Sequence, residues 1–390
     1  MDYNPNNIPG TPGGNYGVNP QINNINTTPR TPTPAEIYNA TAHNGTPNYH
    51  YGAPQNLFDP KYLEQQRMKL LERRKHEKQL KKLGTNTGII LLILLGISVL
   101  LSYFLMLPTF SGLYESNLTF SSAFAVFYSV ISVGGSFFIG SKLLKKSKSL
   151  ASISYNPPKD KIKALLLVLM GFGGCLVANY VTVILRVFAE GIGVYSDYSA
   201  LDDPQSTLDV VMIFICSAVI PPLVEEFAMR GVLMQSLRKY GNAFAIVASA
   251  LMFGIFHGNA VQMPFAFLCG LVIGYAVIAT ESLWTGIIIH GLMNAMSGIS
   301  SAIIYYFDEY TSNTFFYVGS AVGIIAGILA LIIYFIRYKD DNTLKFTGEF
   351  SDATTKEKVF KFLSSPVLVI AIVIFFIEAI TQLSLTPPAN

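Results

Sequence analysis

The sequence predicts an all-α protein, a polytopic bundle of about eight or nine transmembrane helices behind a disordered amino-terminal tail. Of its 390 residues, 51% are hydrophobic and only 13% are charged, whereas soluble domains carry about a quarter charged residues. The mean hydropathy is +0.43. From residue 88 onward, apolar stretches near the ~20 residues that cross a bilayer recur along the chain. These values exclude most soluble classes.

The chain divides into five predicted segments. Residues 1–58 are rich in Asn, Pro, Gly and Thr without apolar periodicity, which is typical of a disordered tail. Residues 59–86 form a basic juxtamembrane helix that begins at Asp59-Pro60. Residues 87–160 hold the first two spans and a basic loop, 161–310 form a central core, and 311–390 hold the carboxyl-terminal spans.

Nine stretches are candidates for these spans. They are 88–107, 120–140, 164–189, 209–237, 242–258, 262–280, 283–302, 315–336 and 366–385. Small residues spaced four apart, Gly270 and Gly274, predict close packing of the sixth stretch against its neighbours. The three cysteines, Cys175, Cys216 and Cys269, lie in apolar runs and are odd in number, which favours small core residues over disulfides.

The basic residues predict the orientation. With a cytoplasmic amino terminus, 25 of the 27 Lys and Arg residues fall in inside segments, and only Arg186 and Arg230 lie within spans. We therefore expect an integral, multi-pass membrane protein with its amino terminus inside and its carboxyl terminus outside. The Lys and Arg of 59–83 predict either a solvated helix or a contact with anionic lipid. The net charge of +3 is too small to indicate a nucleic-acid partner.

Ionisable groups inside spans are costly, so each calls for a partner or a role. Arg186 and Glu190 are four residues apart, and we expect a structural ion pair between them. Glu378 stands alone in the last span, and the sequence assigns it no function. The fourth span differs, because Glu225, Glu226 and Arg230 lie together at its middle.

Within the fourth span, spacing predicts how these charges are arranged. Glu226 and Arg230 share a helical face and can form an ion pair. Glu225 points about 100° away from Glu226, which leaves it without a partner on its own helix. Pro221 and Pro222 precede this group and lack backbone donors, so we expect a kink or a local widening there.

The histidines of the membrane region lie on two later spans. His257 follows Phe253 by four residues in the fifth stretch, and His290 precedes Asn294 by four residues in the seventh. The i,i+4 spacing places His290 and Asn294 on one face. We expect the fourth, fifth and seventh spans to surround a cavity that contains water.

Three chemistries fit this set of residues. A carboxylate can activate water for amide hydrolysis while imidazole and amide donors stabilise an oxyanion. The same Glu and His groups could instead bind a metal ion that activates water. Buried Glu, Arg and His also form the proton relays of ion-coupled transporters, although no convincing inverted repeat is visible.

The motifs carry a family resemblance. In order on three spans, they read Glu225-Glu226-x-x-x-Arg230, Phe253-x-x-x-His257 and His290-x-x-x-Asn294. This order resembles the CPBP (Abi-like) family of intramembrane proteases, which includes the CAAX prenyl endopeptidases of the second type and bacterial proteins linked to bacteriocin processing and self-immunity. The resemblance covers roughly residues 160–302.

The resemblance implies a role for each motif residue. Glu225 would be the general base that activates water together with His257, while His290 and Asn294 would stabilise the oxyanion. Glu226 and Arg230 would organise the site, and Phe253 would shape the pocket beside His257. The family was long described as metalloendopeptidases, so the alternative is a divalent metal such as zinc.

If a metal is present, its ligands would be Glu225, Glu226, His257 and His290. Arg230 beside these groups argues against a tight cation site and favours the metal-free mechanism, which needs no cofactor.

Several functional alternatives stay open at this point. A protease would act on a membrane protein or peptide precursor, prenylated or not. A non-catalytic binding or bacteriocin-immunity protein could use the same scaffold. Depth along the spans also leaves the side of substrate entry open, because Glu225 and His257 lie ~20 Å from their inner boundaries and His290 only ~10 Å.

Overall fold

The computed structural model describes residues 59–144, 153–196 and 204–386. Gln65–Asn390 form one structural unit and Met1–Glu64 another, and only residues 59–64 of the latter are described. The predicted disordered tail, 1–58, therefore lies outside the described residues. The packing reported below is that of Gln65–Asn390.

The first half of the described chain is built from four helices and a short strand. They are α1 (Pro60–Leu105), α2 (Pro108–Ser116), α3 (Leu118–Gly140), α4 (Lys161–Gly191) and β1 (Tyr195–Ser196). Helix α1 begins at Pro60, as predicted, and runs without a break from the basic segment into the first span. Asp160 caps α4 by accepting a hydrogen bond from the Lys163 backbone N–H.

The second half continues with seven helices and one strand. They are α5 (Thr207–Tyr240), α6 (Asn242–Ile255), α7 (Gln262–Thr280), α8 (Leu283–Tyr306), α9 (Glu309–Arg337), α10 (Thr355–Leu363), α11 (Pro366–Thr381) and β2 (Leu383–Ser384). Strands β1 and β2 pair antiparallel, with Tyr195 opposite Ser384.

The polytopic helical bundle is confirmed, with two of the nine stretches differing in detail. Among the described residues, seven helices are long and apolar enough to span a membrane, or eight if the bent pair α10 and α11 counts as one span. These two helices meet at 83°. Helix α6 has 14 residues and is about 21 Å long, which is shorter than the ~30 Å hydrocarbon core.

The described parts of the basic segments lie at one end of the bundle, which we call the basic end. There the Leu283 backbone N–H donates to the Ser154 carbonyl at 2.9 Å, and Asn242 donates to the Thr343 carbonyl at 2.8 Å. Part of the charge on α1 is paired, since Arg73 contacts Glu357 at 3.1 Å and Glu77 contacts Lys361 at 3.0 Å. The orientation of this end in the cell stays a prediction.

Small residues set the closest helix approaches. A Cβ added to Gly270 of α7 would lie 3.0 Å from Ala250 of α6, so the predicted close packing at Gly270 is confirmed. A Cβ added to Gly173 of α4 would lie equally near Gly327 of α9. These contacts join α6 to α7 and α4 to α9.

Asp341 ties α4 to the segment after α9 at the basic end. It forms an ion pair with Lys163 at 3.1 Å and accepts a hydrogen bond from the Tyr334 hydroxyl. Burial alone would raise the pKa of the Asp341 carboxyl, but hydrogen bonds from Thr343, Tyr334 and Lys163 outweigh it and hold that pKa well below its usual range.

We predict that Asp341→Asn lowers the free energy of unfolding by about 1–3 kcal/mol. The change removes the charge that pairs with Lys163 and weakens the hydrogen bond from the buried Tyr334 hydroxyl. Thermal unfolding of the purified protein in detergent measures this change. The matched control is Asp340→Asn at the exposed neighbouring position, which should leave the midpoint unchanged. Equal shifts for both variants would contradict the role of Asp341.

Candidate active site

Helix α5 widens where the two prolines interrupt its backbone. The turns Ile215–Val219 and Phe227–Met234 are π-helical and flank the segment Ile220–Glu226. The Ser217 carbonyl would bond to the N–H four residues on in an α-helix or five on in a π-helix, but these residues are Pro221 and Pro222. The predicted widening is therefore confirmed, and it frees this carbonyl.

Asn294 of α8 forms a hydrogen bond with the freed Ser217 carbonyl. Its Nδ2 donates to the Ser217 carbonyl at 2.9 Å. Because a carbonyl only accepts, this contact fixes which end of the amide faces α5. One N–H of Asn294 is thereby engaged, and the second remains for another acceptor.

The predicted Glu226–Arg230 ion pair is confirmed and fully buried. Arg230 Nη1 donates to Glu226 Oε1 at 2.8 Å, and the two side chains are 1% and 0% exposed. Arg230 also donates to the Gly270 carbonyl at 3.3 Å, and its guanidinium lies 4.5 Å from the centre of the Phe253 ring. The Arg230 guanidinium thus contacts groups on three helices, α5, α6 and α7.

His290 is held by the same ion pair. Its Nδ1 lies 3.1 Å from Glu226 Oε1, and its Nε2 lies 3.9 Å from Glu225 Oε2. Since a carboxylate paired with a guanidinium is ionised and only accepts, Nδ1 carries a proton and Nε2 faces Glu225. A separation of 3.9 Å is too long for a direct hydrogen bond, but one water molecule can bond to both groups.

His257 is fixed by the backbone of its own segment. Its Nδ1 lies 2.6 Å from the Phe253 carbonyl, to which it donates, so Nε2 of the neutral ring is an acceptor. The Phe253 ring meets both imidazoles edge to face, with centroid distances of 5.1 Å to His257 and 5.8 Å to His290. Phe253 therefore separates the two histidines and fixes their planes.

A cavity of about 530 Å³ joins the predicted catalytic residues. Glu225, His257, His290 and Asn294 all line it, together with Phe253. Glu226 and Arg230 lie behind this wall, where they touch the lining residues but not the space. The three predicted spans contribute as expected, and α7 and Cys175 of α4 complete the wall.

The difference in depth between Glu225 and His290 has a structural reason. Leu283, the first residue of α8, packs beside Gly231 of α5, where an added Cβ would lie 3.5 Å from Leu283 Cδ1. Gly231 lies nine residues before Tyr240, where α5 ends. Helix α8 therefore begins about 13 Å deeper in the bundle than Tyr240. This offset brings His290 level with Glu225.

The arrangement does not fit a zinc site. The described residues contain no group of three or more His, Cys, Asp or Glu side chains placed to hold a metal ion. Glu226 Oε1, one of the candidate ligand atoms, is already shared by Arg230 and His290. The guanidinium beside it would repel a bound cation.

The structure also places residues to which sequence reasoning gave no role. Gly286, one turn before His290, lies against Glu226, and an added Cβ would lie 2.8 Å from Glu226 Oε2. This oxygen has no hydrogen-bond partner within the part of the chain that the structure describes. The i,i+4 spacing of Gly286 and His290 was the signal that could have identified this contact.

The other charged groups predicted within the spans do not line the cavity. Arg186 and Glu190 form the predicted pair at 3.2 Å. Glu378 lies against the turn after His257, where a Cβ added to Gly258 would be 2.7 Å from its Oε2. The three cysteines are buried and free, as expected.

Comparison with known proteins assigns this segment to a class. Residues 207–296, which contain all seven motif residues, match the family model "Type II CAAX prenyl endopeptidase Rce1-like". "Putative membrane peptidase YdiL" of Bacillus subtilis (strain 168) is 26% identical over 145 residues, which are 36% of this chain and 57% of that protein. No solved structure matches. The resemblance to the CPBP family of intramembrane proteases is thereby confirmed for the segment that holds the site, while the alignment spans little more than half of the relative.

We predict that Gly286→Ala destabilises the protein by about 1–3 kcal/mol, because the added methyl group overpacks the site. It would lie 2.6 Å from Val277 Cγ2 as well as against Glu226. Thermal unfolding in detergent measures the effect. Gly96→Ala is the matched control, since an added Cβ at Gly96 meets nothing within 4 Å. A Gly286→Ala variant as stable as this control would show that the site tolerates the methyl group.

Proposed function

We propose that the protein is an intramembrane endopeptidase that hydrolyses a peptide bond of a membrane-associated protein or peptide precursor. The observation that carries this proposal is the fixed orientation of His290. Glu226 and Arg230, buried behind the cavity wall, hold its Nδ1 so that Nε2 faces Glu225 across 3.9 Å. A water molecule bound at this position contacts both the Glu225 carboxylate and the His290 ring.

Glu225 and His257 act on the water. The Glu225 carboxylate accepts a proton from the water, and the resulting hydroxide oxygen forms a bond to the carbonyl carbon of the substrate. His257 Nε2, an acceptor in its neutral form, holds the water by a second hydrogen bond. The proton on Glu225 then passes to the departing amine nitrogen as the C–N bond breaks.

His290 and Asn294 stabilise the negative charge that develops on the carbonyl oxygen. His290, held at Nδ1 by Glu226, donates from Nε2 when that nitrogen carries a proton. Asn294 donates its second N–H, the first being engaged by Ser217. Such preorganised donors contribute about 3–4 kcal/mol each to the stability of a transition state.

We predict that Glu225→Gln lowers the rate of peptide cleavage about 10²–10⁴-fold. The glutamine amide has the same shape as the carboxylate but cannot accept the proton from water. The measurement compares membrane and secreted peptides by mass spectrometry between cells that carry the unmodified protein and cells that carry the variant at equal expression. Peptides that disappear in the variant are the products.

The matched control is Glu190→Gln, which removes a carboxylate from the half-exposed pair at the end of α4. Its peptide profile should equal that of the unmodified protein. An unchanged profile for Glu225→Gln, together with a cellular phenotype that only deletion removes, would support a non-catalytic binding or immunity role on this scaffold. Activity lost to a chelator and restored by Zn²⁺ would support the zinc alternative.

We also predict that Pro221→Ala lowers the cleavage rate about ten- to hundredfold without loss of stability, because small misplacements of catalytic groups have effects of this size. Alanine supplies the N–H that the Ser217 carbonyl lacks, so the π turn narrows and Asn294 has to share that carbonyl. Cleavage rate and thermal midpoint are measured together. Pro108→Ala, at the exposed start of α2, is the control, and a Pro221→Ala variant of normal rate would refute the role of this carbonyl.

A further inference from the structure

One face of α8 lines the cavity with polar groups from the catalytic residues toward the carboxyl end of the helix. The lining residues of this face are His290, Asn294, Ser297 and Ser301. Their spacings of four, three and four residues place them in one row. Ser297 is exposed, whereas Gly298 beside it is buried against Phe214. The row therefore offers hydrogen bonds to water or to a peptide backbone along the whole cavity.

This polar row leads away from the basic end. Helix α8 starts at the basic end, where Leu283 bonds to Ser154, and each step from His290 to Ser301 moves further from it. At the other end of α8 the Ser300 carbonyl accepts a hydrogen bond from Ser312, and residues 303–314 contain no Lys or Arg. The cavity thus extends toward the end opposite the basic segments.

The short helix α6 ends beside this part of the cavity, where Gln382 donates to the Gly258 carbonyl at 3.0 Å. Since α6 ends at Ile255, the turn that carries His257 lies within the thickness of the bilayer rather than at its surface. Gln262, the first residue of α7, follows this turn and lines the cavity as well. Polar side chains of α7 and α8 therefore border the cavity where α6 does not cover it.

The remaining wall of the cavity is apolar. Ile213 of α5 and Phe265 and Ile273 of α7 line it, and Met293 lies beside the polar row on α8. Apart from the thiols, the ionisable lining groups are Glu225, His257 and His290, and no Lys, Arg or Asp among the described residues lines the space. Apart from the catalytic groups, the described residues offer no opposite charge to a charged substrate side chain in this cavity. Burying such a side chain there would therefore be unfavourable.

We infer that the cavity admits its substrate from the end opposite the basic segments, which the distribution of Lys and Arg assigns to the outside. The substrate is an extended membrane-protein or peptide segment with uncharged residues on both sides of the cleaved bond. Its backbone bonds to the polar row of α8 while its side chains face the apolar wall. This inference rests on the proposed function for the identity of the occupant, but not for the position of the opening.

The test is cysteine accessibility at three serines. Single variants Ser301→Cys, Ser116→Cys and Ser141→Cys are treated in intact cells with a membrane-impermeant maleimide, and the labelled positions are mapped by mass spectrometry. Ser116 is an exposed residue between α1 and α3, at the end opposite the basic segments, and Ser141 is an exposed residue at the basic end. Because peptide mapping assigns the label to one cysteine, the native cysteines can stay in place.

We expect Ser301→Cys to be labelled together with Ser116→Cys in intact cells, and Ser141→Cys only after permeabilisation. Labelling of Ser301→Cys only under the conditions that label Ser141→Cys, or its resistance to label in both, would overturn the inference. Reversed labelling of Ser116→Cys and Ser141→Cys would overturn the assignment of the opening to the outside.

A second readout separates this inference from the proposed function. The label on Ser301→Cys should lower the yield of cleavage products relative to the same variant before labelling, whereas the label on Ser116→Cys should leave the yield of that variant unchanged. If the unmodified protein yields no products at all, the proposed protease function fails while the labelling still decides the route. Products with Lys, Arg, Asp or Glu next to the new terminus would contradict an uncharged cleavage site.

Discussion

The ion pair between Glu226 and Arg230 is the interaction on which the site depends. Burying both charges carries a large desolvation cost, which only good geometry and further hydrogen bonds offset. The chain provides both, through His290 Nδ1 and the Gly270 carbonyl. Each of these partners lies on a different helix, so the pair that neutralises the charges also fixes α7 and α8 relative to α5.

Two backbone features convert this pair into an open site. The consecutive prolines widen α5 and free the Ser217 carbonyl, which Asn294 then occupies. The late start of α8 beside Gly231 raises His290 to the level of Glu225. Neither feature involves a charged residue. Both nevertheless determine whether the Glu225 carboxyl, the His290 imidazole and the Asn294 amide face the same cavity. The family resemblance of residues 207–296 covers all of them.

Sequence reasoning reached the parts of the site that spacing within one helix determines. The Glu226–Arg230 pair and the shared face of His290 and Asn294 follow from residues four apart. The widening follows from the adjacent Pro221 and Pro222, which lack backbone donors. Hydropathy likewise located the spans. It overestimated the stretch 242–258, because apolar residues continue past Ile255 although the helix ends there and Gly258 takes a left-handed conformation, with φ +57°.

Contacts between helices were beyond the reach of the sequence. The depth of His290 depends on where α8 begins relative to α5, and helix boundaries counted from hydropathy carry no such offset. The hydrogen bond of Asn294 to a carbonyl 77 residues away in the chain and the packing of Gly286 against Glu226 are tertiary contacts of the same kind. A single sequence holds residue types and local spacing, and these contacts need the assembled bundle.

A double-mutant cycle at Glu226 and Arg230 tests the central claim most directly. The variants Glu226→Gln, Arg230→Met and their combination are compared by unfolding in detergent. Either single change strands a buried charge and should cost about 3–5 kcal/mol, whereas the double variant should cost less than the sum by roughly 1–3 kcal/mol. Additive losses would show that the two residues act separately and would contradict the dependence of the site on their ion pair.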